Sequence, residues 1–206
     1  MQVENNKEEV PFSHYEGLFR SLDPAEAQKR LPSVHFSDGT FALILLGREY
    51  HISWPEYAIV PADGGPVPPL PEQTFLLRCL LEGKETAFGG RMLTFREMPW
   101  GELYSKPFAG RVLTRAAFTF GTRLEAFRQA GERLGLVPLQ HGDAAFQADF
   151  FGPYTMQIIV WAGDEEFPPN AQVLYSDNFV SGFAAEDRVV AGDLLVNRLK
   201  SAMTSR

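Results

Sequence analysis

The sequence predicts an α+β fold, in which an antiparallel β-sheet built of hairpins and a meander is flanked by helices, and three observations carry that prediction. Residues 145–150, 155–161 and 171–175 are apolar or alternating runs joined by short turns, which is the mark of a meander. Residues 33–60 form a second strand-rich stretch with Asp38-Gly39 as a two-residue hairpin turn. Elsewhere, in 71–82, 107–120, 122–135 and from 184 on, apolar residues recur at helical spacing.

Taken in order, residues 1–12 are polar and mixed in charge, so fraying is expected there. A short helix is expected over 14–22. A second begins at Asp23-Pro24, where Asp caps free N–H groups and Pro fills a position whose N–H has no partner anyway. Val34 and Phe36 alternate with His35, and Phe41 to Leu46 is a continuous apolar run suited to a central strand. His35 and His51 read as ordinary half-exposed strand histidines, because no third metal ligand lies near them. Residues 61–71, rich in proline and glycine, exclude helix and central strand and read as a surface loop rather than a hinge.

Pro71 opens a helix that ends at Gly83 with Phe75, Leu76, Cys79 and Leu80 on one stripe. Thr94-x-x-Glu97 is a capping box, predicting a helical turn over 92–99 that Pro99 stops, and Trp100 and Tyr104 follow in a loop. A helix over 107–120 turns Phe108, Val112 and Leu113 inward. Thr122-x-x-Glu125 is a second capping box, for a helix that Gly135 stops. The amphipathic tail from Ala184 covers one face of the meander, with Gly192 as a point where it breaks in two. Strand, turn, strand, loop and helix occur at 41–82 and again at 155–203, which suggests a pseudo-duplication without shared residues.

Composition bounds the function. At 206 residues the chain suits a single domain, 1–206, with a full core. With 26 acidic against 19 basic residues the net charge is -7, and the field repels nucleic acid and anionic membranes, so neither is expected as a partner. Cys79 is the sole cysteine, which excludes an internal disulfide and a cluster held by this chain's thiolates alone. The polar start and the absence of a long apolar run point to a cytoplasmic protein.

Candidate chemistry gathers on an acidic turn. Asp164 and Glu166 lie between Trp161 and Phe167, and Asp177 follows the next strand, with Arg96, Trp100 and Tyr104 on an earlier loop. Aromatic rings beside charges on loops suit ligand contacts. A rim of Arg96, Trp100, Tyr104, Trp161, Asp164, Glu166 and Asp177 is therefore the expected ligand site. No catalytic residue, metal site or cofactor is assigned. There is no G-x-S-x-G, H-E-x-x-H, P-loop or dinucleotide-binding glycine motif, and no D-x-D-x-D-G calcium loop.

The stretches Thr94-Phe-Arg-Glu-Met-Pro-Trp-Gly101, Ile159-Val-Trp-Ala-Gly-Asp-Glu-Glu-Phe-Pro168, Leu174-Tyr-Ser-Asp177 and Ala185-Glu-Asp187 carry a resemblance over roughly residues 40–200. The chain resembles the uncharacterised domain of unknown function family 3786 (DUF3786) of anaerobic bacteria and archaea. Some members carry a four-cysteine iron-sulfur domain in front, similar to that of corrinoid proteins of one-carbon metabolism; this chain lacks those cysteines. The resemblance implies no established activity. The leading expectation is a small-molecule-binding or accessory module of anaerobic metabolism, with a small molecule or a protein as partner. A carboxylate-dependent enzyme with Arg96 as anion clamp and a structural, protein-interaction subunit stand as alternatives.

Overall fold

A computed structural model describes residues 8–204, and it is an α+β fold with two antiparallel sheets. The described residues divide into two compact units, one up to Thr86 and one from Ala87. Each is taken by itself.

In the first unit helix α1 (Glu9–Phe19) takes in residues 9–12 of the stretch expected to fray; the part of that expectation over 1–7 lies outside the described residues. Helix α2 (Pro24–Arg30) starts as expected, with the Asp23 carboxylate accepting from the Ala25 and Glu26 N–H groups. Strands β1 (His35–Ser37), β2 (Thr40–Leu45), β3 (Arg48–Ser53) and β4 (Ala58–Pro61) follow as an antiparallel meander in that order. The β1–β2 hairpin turns on Asp38 and Gly39, both at positive φ, as a tight two-residue turn requires. His35 and His51 face Ala42 from either side and are exposed, and His51 Nε2 lies 3.0 Å from Glu49 Oε1. Residues 62–69 lead to helix α3 (Leu70–Glu82), whose Glu72 accepts from the buried Tyr50 hydroxyl at 2.6 Å. Phe19, Phe41, Phe75 and Leu76 fill the core beside Tyr50, and Cys79 is buried with them.

The second unit holds a five-stranded sheet of order β5-β9-β8-β7-β6, all antiparallel: β5 (Met92–Thr94), β6 (Val137–Leu139), β7 (Ala144–Phe151), β8 (Tyr154–Trp161) and β9 (Asn170–Ser176). The three long central strands are the expected meander. Residues 92–94 correct the expected helical turn: they pair with Leu174 to Ser176, and the capped turn is only the 3-10 segment Phe95–Glu97. Helix α4 (Ser105–Phe108), a π-helical stretch (Ala109–Thr114) and α5 (Arg115–Phe120) run end to end.

Helix α6 (Leu124–Arg133) stops at Gly135, at φ 65°. Thr122 does not cap it: its hydroxyl donates back to the Phe118 carbonyl, so the second capping box is absent. After α7 (Phe179–Gly182), α8 (Ala185–Thr204) passes unbroken through Gly192. That glycine is there for close packing, since a Cβ would lie 2.6 Å from the Tyr175 hydroxyl and 3.1 Å from Val112. Buried aromatic rings fill the unit: Phe127 of α6 packs between Phe120 and Phe146, while Phe179 of α7 interlocks with Phe150, Tyr154, Tyr175 and Phe183.

Candidate functional site

The segment from Thr94 to Ser105 is tied down by its own backbone. Glu97 accepts from both the N–H (2.7 Å) and the hydroxyl (2.8 Å) of Thr94, and these bonds hold its carboxyl below the usual carboxylate range. Gly101 N–H then donates to the Met98 carbonyl, and Tyr104 N–H to the Trp100 carbonyl. No side chain fits at 101, because a Cβ would strike the Phe95 and Met98 carbonyls.

Arg188 of α8 reaches the same segment from inside. It is 4% exposed, and its guanidinium donates to the carbonyls of Phe183 (3.0 Å), Pro99 (2.9 Å) and Val180 (3.1 Å). Burial pulls its pKa down, opposed by the Asp187 carboxylate and Tyr175. Tyr175 in turn donates to the Arg188 carbonyl at 2.9 Å, and burial drives that phenol's pKa well up. With its backbone gripped from both sides, Trp100 sits at φ 64° and is 70% exposed.

Beside this segment lies a cleft of about 480 Å³, lined by Thr94, Phe95, Arg96, Glu102, Ser105, Lys106, Phe108, Ala109, Leu113 and Gln172. Phe95 and Phe108 stack at 4.2 Å to make its floor, and Gln172 comes from β9 beyond the end of β5. One wall is the π-helical stretch, a rare geometry that recurs at functional sites. It explains how Phe108 and Leu113, five residues apart, reach one cavity. At the mouth Arg96 donates to Glu102 through Nε (3.1 Å) and Nη2 (2.8 Å); the pairing raises the Arg96 pKa and lowers that of Glu102. Lys106 lines the same cleft.

The remaining expected site residues lie elsewhere. Tyr104 is next to the cleft but does not line it; its hydroxyl donates to Glu186 at 2.9 Å, which raises the Tyr104 pKa. Trp161 lines a different, shallow cavity of about 460 Å³ with Phe167, Pro168, Pro169 and Asn170. Asp164 accepts from the N–H groups of Glu166 (2.9 Å) and Phe167 (2.7 Å), and those bonds lower its pKa. Asp177 accepts from Gly89 (2.8 Å) and Arg91 (3.3 Å) at the opposite end of β9. The strand alone separates the two ends by roughly 20 Å. Arg96, Trp100 and Tyr104 thus share one segment, Trp161, Asp164 and Glu166 share another, and Asp177 stands apart. Among the described residues, no group of three or more His, Cys, Asp or Glu is placed to hold a metal ion.

A family model described as Domain of unknown function (DUF3786) matches residues 23–198. The chain belongs to DUF3786. The match takes in most of both units, so in this chain the DUF3786 domain includes the 94–105 segment, the π-helical stretch and the cleft between them. No curated protein and no solved structure matches the chain. Among the described residues no helix is long and apolar enough to cross a membrane.

Sequence reasoning about this DUF3786 chain missed Glu102, Lys106 and Gln172. Two signals bear on the cleft wall beside Glu102 and Lys106. Pro107 and Gly110 weaken a regular helix just where the π-helical stretch lies, and Phe108 and Leu113 stand five residues apart, a spacing that a π-helical turn brings to one side. Gln172 carried no signal, because β9 becomes a cleft wall only where the short β5 stops covering it.

Proposed function

We propose that this DUF3786 chain is a cytoplasmic small-molecule-binding module, accessory to an anaerobe's metabolism, and that its site is the cleft between the 94–105 segment and the π-helical stretch. One observation carries this reading: a cavity of ligand size has an apolar floor of Phe95, Phe108 and Leu113 and a few charged groups, Arg96, Glu102 and Lys106, at its mouth. That mixture of apolar walls with few polar groups is what small-molecule sites have in common. The net charge of -7 supports a partner other than nucleic acid or an anionic membrane, and a lone buried thiol suits a reducing compartment.

A carboxylate-dependent reaction draws less support. Asp164 and Asp177, two of the expected acids, accept hydrogen bonds from backbone N–H groups at opposite ends of one strand, and such bonds lower the Asp164 pKa, where a general base near neutrality needs it raised.

The test is a fragment screen by amide NMR on the wild type and on Ala109→Phe, which plugs the cleft from its half-buried wall. Binders should shift the amides of Phe95, Phe108 and Leu113 in the wild type and lose at least about tenfold in affinity in the plugged variant. Binders that map to Trp161 and Phe167, or that ignore the plug, would overturn the assignment.

A further inference from the structure

We infer that Glu102 is a built-in stand-in for the acid of the ligand. On this inference, which rests on the cleft being the binding site, the cleft takes a small amphipathic carboxylate. Its carboxylate displaces Glu102 from the Arg96 guanidinium, and its apolar body lies toward Phe95, Phe108 and Leu113.

The geometry at the mouth is that of carboxylate recognition. Arg96 presents Nε and Nη2 to the two oxygens of one carboxylate at 3.1 and 2.8 Å, the parallel, two-bond arrangement by which guanidinium groups select planar acids. The carboxylate held there belongs to the chain itself, and it is held loosely. The side chains of Arg96 and Glu102 are 67% and 76% exposed, so water competes for both and the pair adds little to stability. An incoming acid replaces one exposed carboxylate by another and gains what Glu102 does not have, an apolar body over a cavity floor.

Charge favours the exchange. Among the residues lining the cleft, Arg96 and Lys106 are cationic and Glu102 is the single acid; when Glu102 swings away, two cations face the ligand. The lining is thus positive on balance although the chain's net charge is -7, which favours an anion at the mouth. A neutral amide meets the same floor but cannot compete for the guanidinium. A bare inorganic anion meets the guanidinium but leaves the floor unused.

The experiment titrates the full chain, as wild type, Glu102→Gln and Arg96→Met, with 4-phenylbutyrate and with its neutral amide, by calorimetry. Both substituted side chains are exposed, and matching thermal midpoints verify that the folds are intact. The wild type should prefer the acid by about tenfold; Glu102→Gln should tighten the acid by a further three- to tenfold and leave the amide unchanged; Arg96→Met should erase the preference. If acid and amide bind alike in the wild type, or Glu102→Gln weakens the acid, the inference is overturned while the cleft remains a binding site. If neither probe binds any of the three proteins, the cleft reading fails, and the inference with it.

Discussion

The two ends of β9 use the same kinds of residue to opposite effect. At its start, the 162–169 turn holds acids between aromatic rings, and Asp164 spends its hydrogen-bonding capacity on Glu166 and Phe167 N–H groups two and three residues away. At its finish, Asp177 reaches back to Gly89 and Arg91, 88 and 86 residues earlier in the chain, and Tyr175 contacts the helix that supplies Arg188. The first end closes its own acid on its own backbone, and its Ala162 N–H reaches only as far as Asp143, just before β7. The second is a junction where β5 and α8 are fastened to the strand; from it β9 runs back to Gln172, where the cleft opens past the end of β5. A charged turn is therefore a poor guide to a site when its charges close on their own backbone; side chains left over at a junction of distant segments are a better one.

The hardest blow to this contrast would come from Arg188. Arg188→Met removes three charge-assisted bonds from the buried guanidinium to the carbonyls of Pro99, Val180 and Phe183, at an expected loss of about 3–5 kcal/mol in denaturant unfolding. Amide exchange at Gly101 and Tyr104 should quicken as well, since Pro99 is the anchor of that segment. A loss under about 1 kcal/mol would show that the finish of β9 is no more interlocked than its start.

Asp177→Ala tests the same junction from the sheet side. Two N–H groups lose their acceptor, for about 1–2 kcal/mol, and the effect should be local to β5. Leu93, which pairs with Tyr175, should exchange faster while Ile158 in the middle of the sheet does not change. Equal effects at both would mean that Asp177 supports the whole sheet rather than the entry of one strand.

How much of this was legible in the sequence follows the same division. The β7–β8–β9 meander could be read because its alternation and turns are local, and so could the Asp38-Gly39 hairpin, the Asp23-Pro24 helix start and the Thr94–Glu97 capping box. Strand β5 could not, because three residues carry no period and their strand character comes from pairing with Leu174 to Ser176, some eighty residues later. Gly192 was misread as a break for a related reason: only the folded chain shows the Tyr175 hydroxyl against it. Of the seven residues expected to form one rim, Arg96 alone lines the cleft. Its partner Glu102 is not legible from acids placed beside rings, because the pairing depends on the chain reversing through Trp100 and Gly101.

The smallest expected effect belongs to the start of β9, and its sign is fixed by the direction of the Asp164 shift. Backbone N–H groups of Phe167 and Glu166 lower the folded-state pKa of this carboxyl below its ordinary value. Its contribution to stability is thus fully present above the ordinary Asp range and is lost as pH falls through the lowered folded value. Asp164→Asn removes that dependence. The variant's stability should fall less steeply than the wild type's on acidification below about pH 4, with the two curves running parallel at neutral pH. Chemical-denaturation midpoints from pH 7 to 3 measure it. Amide exchange at Glu166 and Phe167 should quicken in the variant, and exchange at Leu93 and Tyr104 should not, because nothing in the 162–169 turn's bonding reaches the junction. A change at Leu93 would join the two ends of β9 into one unit and end the contrast between them.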